Sequence, residues 1–337
     1  MAVIAETKTV TETKQRQTYF VKAMQEAIAA AMREDPNVVV LGEDVERSVI
    51  GATRGLLDEF GPERLRNTPI SEQAFVGAAI GAAAAGMRPV VDMMIGAFFY
   101  VSMDQLASQA AKLPYMSGGQ IHLPITYFTA TGPSGGGAAQ HSENLHPMLM
   151  NVAGLKIVMP STPYDAKGLM YSAIKDPNPV VYLQDHVLGG TKGPVPREIY
   201  SIPIGVADVK RPGADVTVVA IGATVPKALN SAAELEDDGI SVEVVDPRTI
   251  VPLDIDTILE SVERTGRLVV VDNARITGSA ASEIAASVCE RGFDLLKTAP
   301  VRVAWPDTPV PFSAPLERRV VVQQEDITSA VRTVVRR

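Results

Sequence analysis

The sequence predicts an α/β protein made of two three-layer domains with mainly parallel sheets. Short apolar stretches of strand length alternate with amphipathic stretches of helix length along almost the whole chain, the pattern of a parallel sheet covered by helices. The chain has 337 residues, of which 46% are hydrophobic, so it is long enough for two compact cores. Between them, residues 189–206 crowd Gly, Pro and charge without periodicity and predict a linker.

The first domain is predicted at 18–188, after a polar tail at 1–17 that is expected to be disordered. The pattern gives it these elements in order: helix 18–33, strand 38–41, helix 55–60, helix 75–87, strand 89–93, helix 104–113, strands 125–128 and 156–159, helix 164–174 and strand 180–183. The strands are apolar throughout, as expected where a parallel sheet is buried on both faces.

The second domain, predicted at 207–337, repeats the alternation on a smaller scale. Its predicted elements are strand 216–221, helix 225–235, strand 241–245, helix 255–265, strand 268–271 and helix 280–291. This is again the pattern of a sheet with helices on its faces.

Composition excludes several classes of function. The chain has 39 acidic and 31 basic side chains, a net charge of −8, and no basic cluster beside aromatic residues, so we expect no nucleic-acid partner. The single cysteine, Cys289, excludes disulfides and multi-cysteine metal sites. The apolar run 75–87 is too short to span a membrane. The N-terminal stretch fits neither a secretory signal nor a transit peptide, which predicts a cytoplasmic protein.

Glu72 is the first candidate for chemistry. It ends the segment Thr68-Pro-Ile-Ser-Glu and opens a helix built almost entirely of Ala, Gly, Val and Ile. A poorly solvated carboxyl in such a place can share a proton with a ligand. The alternative is structural: Ser71 caps the helix and Glu72 interacts with the helix dipole.

Glycines on the same helix indicate close packing. Gly77 and Gly81 stand four residues apart and Gly86 follows, and positions without side chains let another backbone approach. The sequence permits either a subunit interface or a core helix that ends at Gly86.

His141 is the second candidate. It follows the glycine-rich segment that begins at Gly132, after a predicted strand, and loops at strand ends carry functional groups in parallel-sheet enzymes. A phosphate cradle is a competing idea, but the usual glycine spacings are absent. The remaining histidines have no ligand spacing that would predict a zinc site; they are His122, His146 and His186.

Motifs along nearly the whole chain, about 18–334, together resemble one family, the β subunits of thiamine-diphosphate-dependent 2-oxo acid dehydrogenases that act on pyruvate, branched-chain substrates or acetoin. The motifs are Gly42-Glu-Asp-Val, Thr68-Pro-Ile-Ser-Glu, Asp104-Gln, Tyr115-Met-Ser-Gly-Gly, Gln140-His-Ser, Gly154-Leu-Lys, residues 163–167 and Asp246-Pro-Arg-Thr. The resemblance implies a thiamine-diphosphate pyrimidine-binding domain followed by a transketolase C-terminal-like domain.

The resemblance also implies cofactor, partners and roles. Glu72 would bind N1′ of the aminopyrimidine, and His141 would handle protons and the acyl group. The other implied cofactor-binding residues are Glu43, Ile70, Met94 and Phe98. The Gly-Asp-Gly motif for diphosphate and Mg²⁺ is absent, so an α subunit would supply it in an α2β2 heterotetramer. A lipoyl acyltransferase core and a small 2-oxo acid complete the expected partners.

Two further sites rest on the resemblance. A potassium ion would be held at positions matching Ile125, Ala173, Asp176 and Asn178. The substrate pocket would differ from the family's usual one, because Phe128 replaces an Arg, and Met148 and Leu149 replace an aromatic pair. The residues alone leave two other functions open. One is a split transketolase-like, acyloin-forming enzyme, and the other is a non-catalytic pairing subunit.

Overall fold

The computed structural model describes residues 16–336. Its strands, in chain order, are β1 Arg16–Tyr19, β2 Val38–Gly42, β3 Leu65–Asn67, β4 Arg88–Ile95, β5 Thr126–Thr131, β6 Lys156–Val158, β7 Val180–Asp185, β8 Lys192–Val195, β9 Asp208–Arg211, β10 Val216–Ala220, β11 Val242–Asp246, β12 Thr249–Val251, β13 Leu268–Arg275 and β14 Val301–Trp305.

The α-helices lie between these strands on both faces of the sheets. They are α1 Phe20–Glu34, α2 Leu56–Phe60, α3 Glu72–Ala84, α4 Leu113–Met116, α5 Ala138–His141, α6 His146–Leu149, α7 Pro163–Lys175, α8 Thr224–Asp237, α9 Ile255–Thr265, α10 Ala280–Gly292, α11 Ala314–Val320 and α12 Gln324–Arg336. Gly96–Ser102 is a 3-10 helix and Asp104–Ala110 a π-helix. Within residues 16–336, no helix is both long enough and apolar enough to cross a membrane.

A seven-stranded sheet forms the first domain, in the order β12-β6-β7-β5-β4-β2-β3. All neighbours are parallel except β12, which pairs antiparallel with β6. Strand β7 is buried at every position, as expected where helices cover both faces. The predicted mainly parallel sheet is confirmed.

Two apolar clusters make this domain three-layered. On one face α1 and α7 pack on the sheet through residues such as Phe20, Met24 and Leu169. On the other face α3 packs through Phe75 and Val76. This second cluster continues into α9 and α10 of the second domain, so the two domains share part of one core.

A five-stranded sheet, β14-β13-β10-β11-β9, forms the second domain. It is parallel apart from β9, and helices α8 and α12 cover one face. Strand β12 belongs to this half of the sequence but joins the first sheet, so the chain crosses back after the predicted linker. That crossing could not be read from periodicity, because β12 is only three residues long.

The start of the described chain is fixed to the predicted linker. Strand β1 pairs antiparallel with β8, which lies within the predicted linker 189–206. Most of the predicted disordered tail, residues 1–15, lies outside the described residues, and residues 16 and 17 are already in β1. The apolar helix expected over 75–87 spans Glu72–Ala84, so Glu72 lies in its first turn, as expected, and the helix ends before Gly86.

Gly154 provides a test of the packing before β6. Its φ is +103°, and an added Cβ would overlap the main-chain oxygen of Ala111. We therefore expect Gly154→Ala to lower the free energy of unfolding by about 3 kcal/mol, from backbone strain and the clash together. Urea unfolding followed by circular dichroism measures this. Gly190→Ala is the control, since Gly190 has open space around it. Coincident unfolding midpoints for the two variants would contradict the packing.

Candidate functional site

The carboxyl edge of the seven-stranded sheet gathers most of the predicted site residues. Glu43 follows β2, Glu72 follows β3, Met94 lies at the end of β4 and His141 follows β5. Because parallel strands all end at the same edge, side chains distant in sequence meet there. Ligands of open α/β sheets bind at this edge, so it is the candidate active site.

Glu72 is the first residue of α3 and is only 8% exposed. Among the described residues its carboxylate has no side-chain hydrogen-bond partner. Ser71 does not cap the helix through its side chain; its hydroxyl donates instead to the Pro69 carbonyl, 3.0 Å away. The Ser71 side-chain cap is therefore wrong, whereas Glu72 does lie in the first turn of α3, where it can interact with the helix dipole. Glu72 is a nearly buried carboxylate.

Glu43 lies beside Glu72. Burial, and then the negative charge of Glu72, raise the pKa of Glu43 above its ordinary range. One carboxylate oxygen of Glu43 is fully buried without a partner, as are Thr68 Oγ1 and Gln105 Oε1 in the described part of the chain. Unsatisfied buried polar atoms are rare, and those of Glu43 and Thr68 follow β2 and β3 at this edge, so they favour a polar ligand or partner there.

Asp92 is a residue of this edge that the sequence reasoning missed. It lies on β4, is 3% exposed, and its Oδ1 accepts the Met94 main-chain N–H at 2.8 Å. Burial, opposed in part by this bond and reinforced by Glu43, raises the pKa of Asp92 to about 7. The available signal was a lone carboxylate inside the apolar run 89–95.

Met94 and Phe98 form the apolar side of the site. The Asp92 bond holds Met94 in the left-handed region at φ +56°, a conformation that costs energy for a residue with a side chain. Phe98 meets the His141 ring edge to face, with 5.6 Å between ring centroids. His141 is exposed at the end of α5, and Ile70 is 86% exposed.

These side chains fit the pyrimidine half of thiamine diphosphate. A flat, nitrogen-containing ring needs an apolar face and a carboxylate at its edge, and Phe98, Met94 and Glu72 offer these groups. Beside Glu72, Glu43 adds a buried carboxylate oxygen without a partner in the described chain. The assigned roles of these residues stay predictions.

The predicted substrate-pocket residues are placed differently. Phe128 is fully buried in the cluster that packs α1 and α7, because alternate residues of β5 point to opposite faces and Tyr127 takes the α3 side. The structure therefore does not bring Phe128 to the site. Leu149 is also buried, and Met148 is half-buried against the same cluster as α3. Phe128 and Leu149 thus lie in the apolar core, and Met148 packs against it.

The predicted potassium ligands lie together beyond the other end of β5 and β7. The Ile125 carbonyl accepts Val180 N–H at 2.9 Å, Asp176 Oδ1 accepts Asn178 N–H at 2.9 Å, and the Ala173 carbonyl accepts the Asp176 N–H. Carbonyl and carboxylate oxygens suit a hard cation. However, the Lys156 ammonium already pairs with Asp176 Oδ2 and balances its charge. The ion stays a prediction.

Comparison with known proteins gives two family matches. The family "Transketolase, pyrimidine binding domain" matches residues 17–185, and "Transketolase, C-terminal domain" matches residues 205–327. Among solved structures, one described as "Split gene transketolase, inactive beta4 tetramer" has a TM-score of 0.77 at 23% identity, covering 94% of this chain and 98% of that one. This likeness shows the fold.

Curated relatives are more similar in sequence. The β subunit of acetoin:2,6-dichlorophenolindophenol oxidoreductase from Bacillus subtilis is 44% identical over 321 residues, covering 91% of this chain and 94% of the relative. The pyruvate dehydrogenase E1 component β subunit of Rhizobium meliloti is 41% identical, covering 93% and 69%. The 2-oxoisovalerate dehydrogenase β subunit of Bacillus subtilis is 42% identical, covering 93% and 97%.

Asp92 gives a pH prediction for this edge. The unfolded chain ionises this carboxyl near 3.8 and the folded chain near 7, so between these values the folded state holds a proton that the unfolded state has lost. Stability contributed by the neutral form therefore falls as pH rises and is lost above about pH 7. The free energy of unfolding of Asp92→Asn, relative to that of wild type, should therefore rise by up to about 4 kcal/mol between about pH 4 and pH 8.

Urea unfolding of both proteins across this pH range measures the difference, and Asp294→Asn, which removes an exposed carboxylate, is the control. The asparagine side chain keeps an oxygen that can accept the Met94 N–H, so the comparison isolates ionisation. A difference that does not change with pH would contradict the buried, neutral Asp92.

Proposed function

Because the chain belongs to the β subunits of thiamine-diphosphate-dependent 2-oxo acid and acetoin dehydrogenases, we propose that its sheet edge binds the pyrimidine half of the cofactor and becomes active when an α subunit completes the site. The observation that carries the proposal is Glu72, nearly buried yet without a side-chain partner in the described chain, at the open edge beside Glu43. A nearly buried carboxylate without a side-chain partner favours a ligand group that can donate a hydrogen bond to it.

Glu72 would hold the pyrimidine by hydrogen-bonding N1′. When bound, thiamine diphosphate supplies the carbon nucleophile and the electron sink for decarboxylation. A carboxylate on N1′ shifts the protonation of the ring and so prepares its amino group for proton transfer. Glu43 lies beside Glu72, and burial and then the charge of Glu72 raise the pKa of Glu43. Met94 and Phe98 would supply the apolar face that orients the ring.

His141 would act on the substrate side. It is exposed, lies on the loop after β5, and touches Phe98 edge to face. An imidazole there can give a proton to the substrate's oxygen or take one away as bonds form and break. His141 and Glu72 thus have separate tasks: the carboxylate orients the cofactor, and the imidazole moves protons at the substrate.

The α partner would cover the exposed side of this edge. Ile70 is 86% exposed and Tyr115 is 89% exposed, and the outward face of α3 carries small residues such as Ala74, Ala78 and Gly81. Exposed apolar surface beside a half-built site is typical of an interface. The α subunit would also bring the diphosphate and Mg²⁺ ligands. The second domain would help to pair β subunits in an α2β2 assembly.

We also propose that the substrate is a 2-oxo acid or acetoin, that the acceptor is a lipoyl group on an acyltransferase core, and that the protein is cytoplasmic. These proposals rest on the family resemblance and on the sequence. A potassium ion would be structural, held by Ile125, Ala173, Asp176 and Asn178, in competition with Lys156. The dehydrogenase relatives support this function over the acyloin-forming alternative.

Turnover with the α partner tests the proposal. The chain is co-expressed with an α subunit and supplied with thiamine diphosphate, Mg²⁺ and a panel of 2-oxo acids and acetoin, with a redox dye or a lipoyl domain as acceptor. We expect decarboxylation or acetoin cleavage that reduces the dye or acylates the lipoyl group. Release of a new hydroxy ketone, with neither acceptor used, would instead support the acyloin-forming function.

Glu72→Gln tests the catalytic carboxylate in that assembly. The amide keeps the size of the side chain but cannot hold the negative charge, so we expect turnover to fall at least about 100-fold. Glu63→Gln changes an exposed glutamate away from the edge and should leave turnover unchanged. Full activity of Glu72→Gln would favour a non-catalytic pairing subunit.

A further inference from the structure

The loop that carries His141 is fastened to the second domain. It leaves β5 at Gly132 and runs to His146, and on the way it contacts strand β13 of the second domain. Three residues at the end of β13, in the second domain, contact three residues that follow His141: Arg275 binds Glu143, Asn273 binds Asn144, and Asp272 binds His146. None of these contacts is local in sequence.

The Glu143–Arg275 pair is the contact nearest His141. The guanidinium donates two parallel hydrogen bonds, Nη1 to Oε2 and Nη2 to Oε1, each 2.7 Å long. The Glu143 side chain is 13% exposed and that of Arg275 is 33% exposed, so solvent screens the pair only in part. Two-pronged arginine–carboxylate pairs fix both distance and orientation, so this pair can set the position of the backbone two residues after His141.

Each partner of the pair is itself held. The Glu143 carbonyl accepts Gly132 N–H at 3.1 Å and Thr131 Oγ1 at 2.7 Å, which ties the loop's far end to the end of β5. Arg275 Nε donates to the Thr308 carbonyl at 3.2 Å. Arg275 is therefore anchored in the second domain, and its pair with Glu143 links it to the loop.

Further contacts with the second domain hold the loop on both sides of His141. His146 Nε2 and Asp272 Oδ1 are 2.8 Å apart with both side chains fully buried, and Asp272 Oδ2 also accepts the Ala281 N–H. The Asn144 amide donates to the Asn273 carbonyl. Before His141, the Gly136 N–H donates to Glu317 Oε2 at 3.2 Å. His141 is thus held from both sides by the second domain.

We propose that Arg275 is a positioning residue that acts through Glu143 to place His141 beside Phe98 at the candidate active site. The second domain then helps to build the catalytic loop besides pairing subunits. This inference rests on the proposed role of His141. Glu72 and Glu43, the carboxylates proposed to bind the cofactor, lie on other elements, so the pair should influence His141 more than cofactor binding.

The α-partnered enzyme with Arg275→Gln provides the main test. We expect kcat to fall about 10- to 100-fold, because a displacement of about 1 Å at a catalytic group can cost this much. The KM for substrate and the apparent affinity for thiamine diphosphate should change little. Arg275→Lys, which keeps the charge but loses the two-pronged geometry, should recover only part of kcat. The double exchange Glu143→Arg with Arg275→Glu should recover more than either single exchange.

Amide hydrogen exchange of residues 132–146 gives a second readout that does not depend on activity. Arg275→Gln should increase exchange at Gly132, whose N–H is bonded to the Glu143 carbonyl. Arg264→Gln is the matched control: it breaks the Arg264–Glu243 pair, 2.6 Å long and within the second domain, and should change neither exchange in the loop nor kcat.

The outcomes separate this inference from the proposed function. If His141→Ala lowers kcat but Arg275→Gln does not, the inference is overturned and the role of His141 stands. Unchanged loop exchange in Arg275→Gln overturns the inference as well. If His141→Ala retains full turnover, the proposed role of His141 fails, and with it the positioning role of Arg275. A fall in kcat with faster loop exchange, and both absent in Arg264→Gln, supports the inference.

Discussion

Burial of carboxyl groups at one sheet edge is the constraint on which the rest of the structure depends. Glu72, Glu43 and Asp92 lie where β2, β3 and β4 end, away from most solvent. Burying like charges together is costly unless protons or partners compensate. Asp92 compensates through a raised pKa and a bond to Met94. The pKa of Glu43 is raised as well, whereas the Glu72 carboxylate has no side-chain partner within the described chain, and we propose that a ligand and a second subunit complete this edge.

Residues close in sequence made much of this site predictable. Glu72 stood out as a carboxylate heading an apolar helix, and His141 as a polar group after a glycine-rich turn. Helix α9 was predicted with the bounds it has. Phe128 was assigned to the pocket from the family resemblance alone, but its side chain lies on the face of β5 that packs against α1 and α7, one position away from the α3 side.

Contacts between distant residues were not predictable. The pairing of β12 with β6 and the Glu143–Arg275 pair join segments far apart in the chain, and neither has a periodic signal. These contacts give the second domain a place in the site. Through the cluster shared with α9 and α10, and through β13, it packs against the first domain and holds the loop that carries His141.

Binding of thiamine diphosphate, measured by isothermal titration calorimetry with Mg²⁺ present, tests the central claim that this chain holds half of a cofactor site. The titration is made into the chain alone, into the α subunit alone, and into the two together. We expect saturable binding to the mixture and none to the chain alone. Tight binding to the chain alone, equal to that of the mixture, would contradict it.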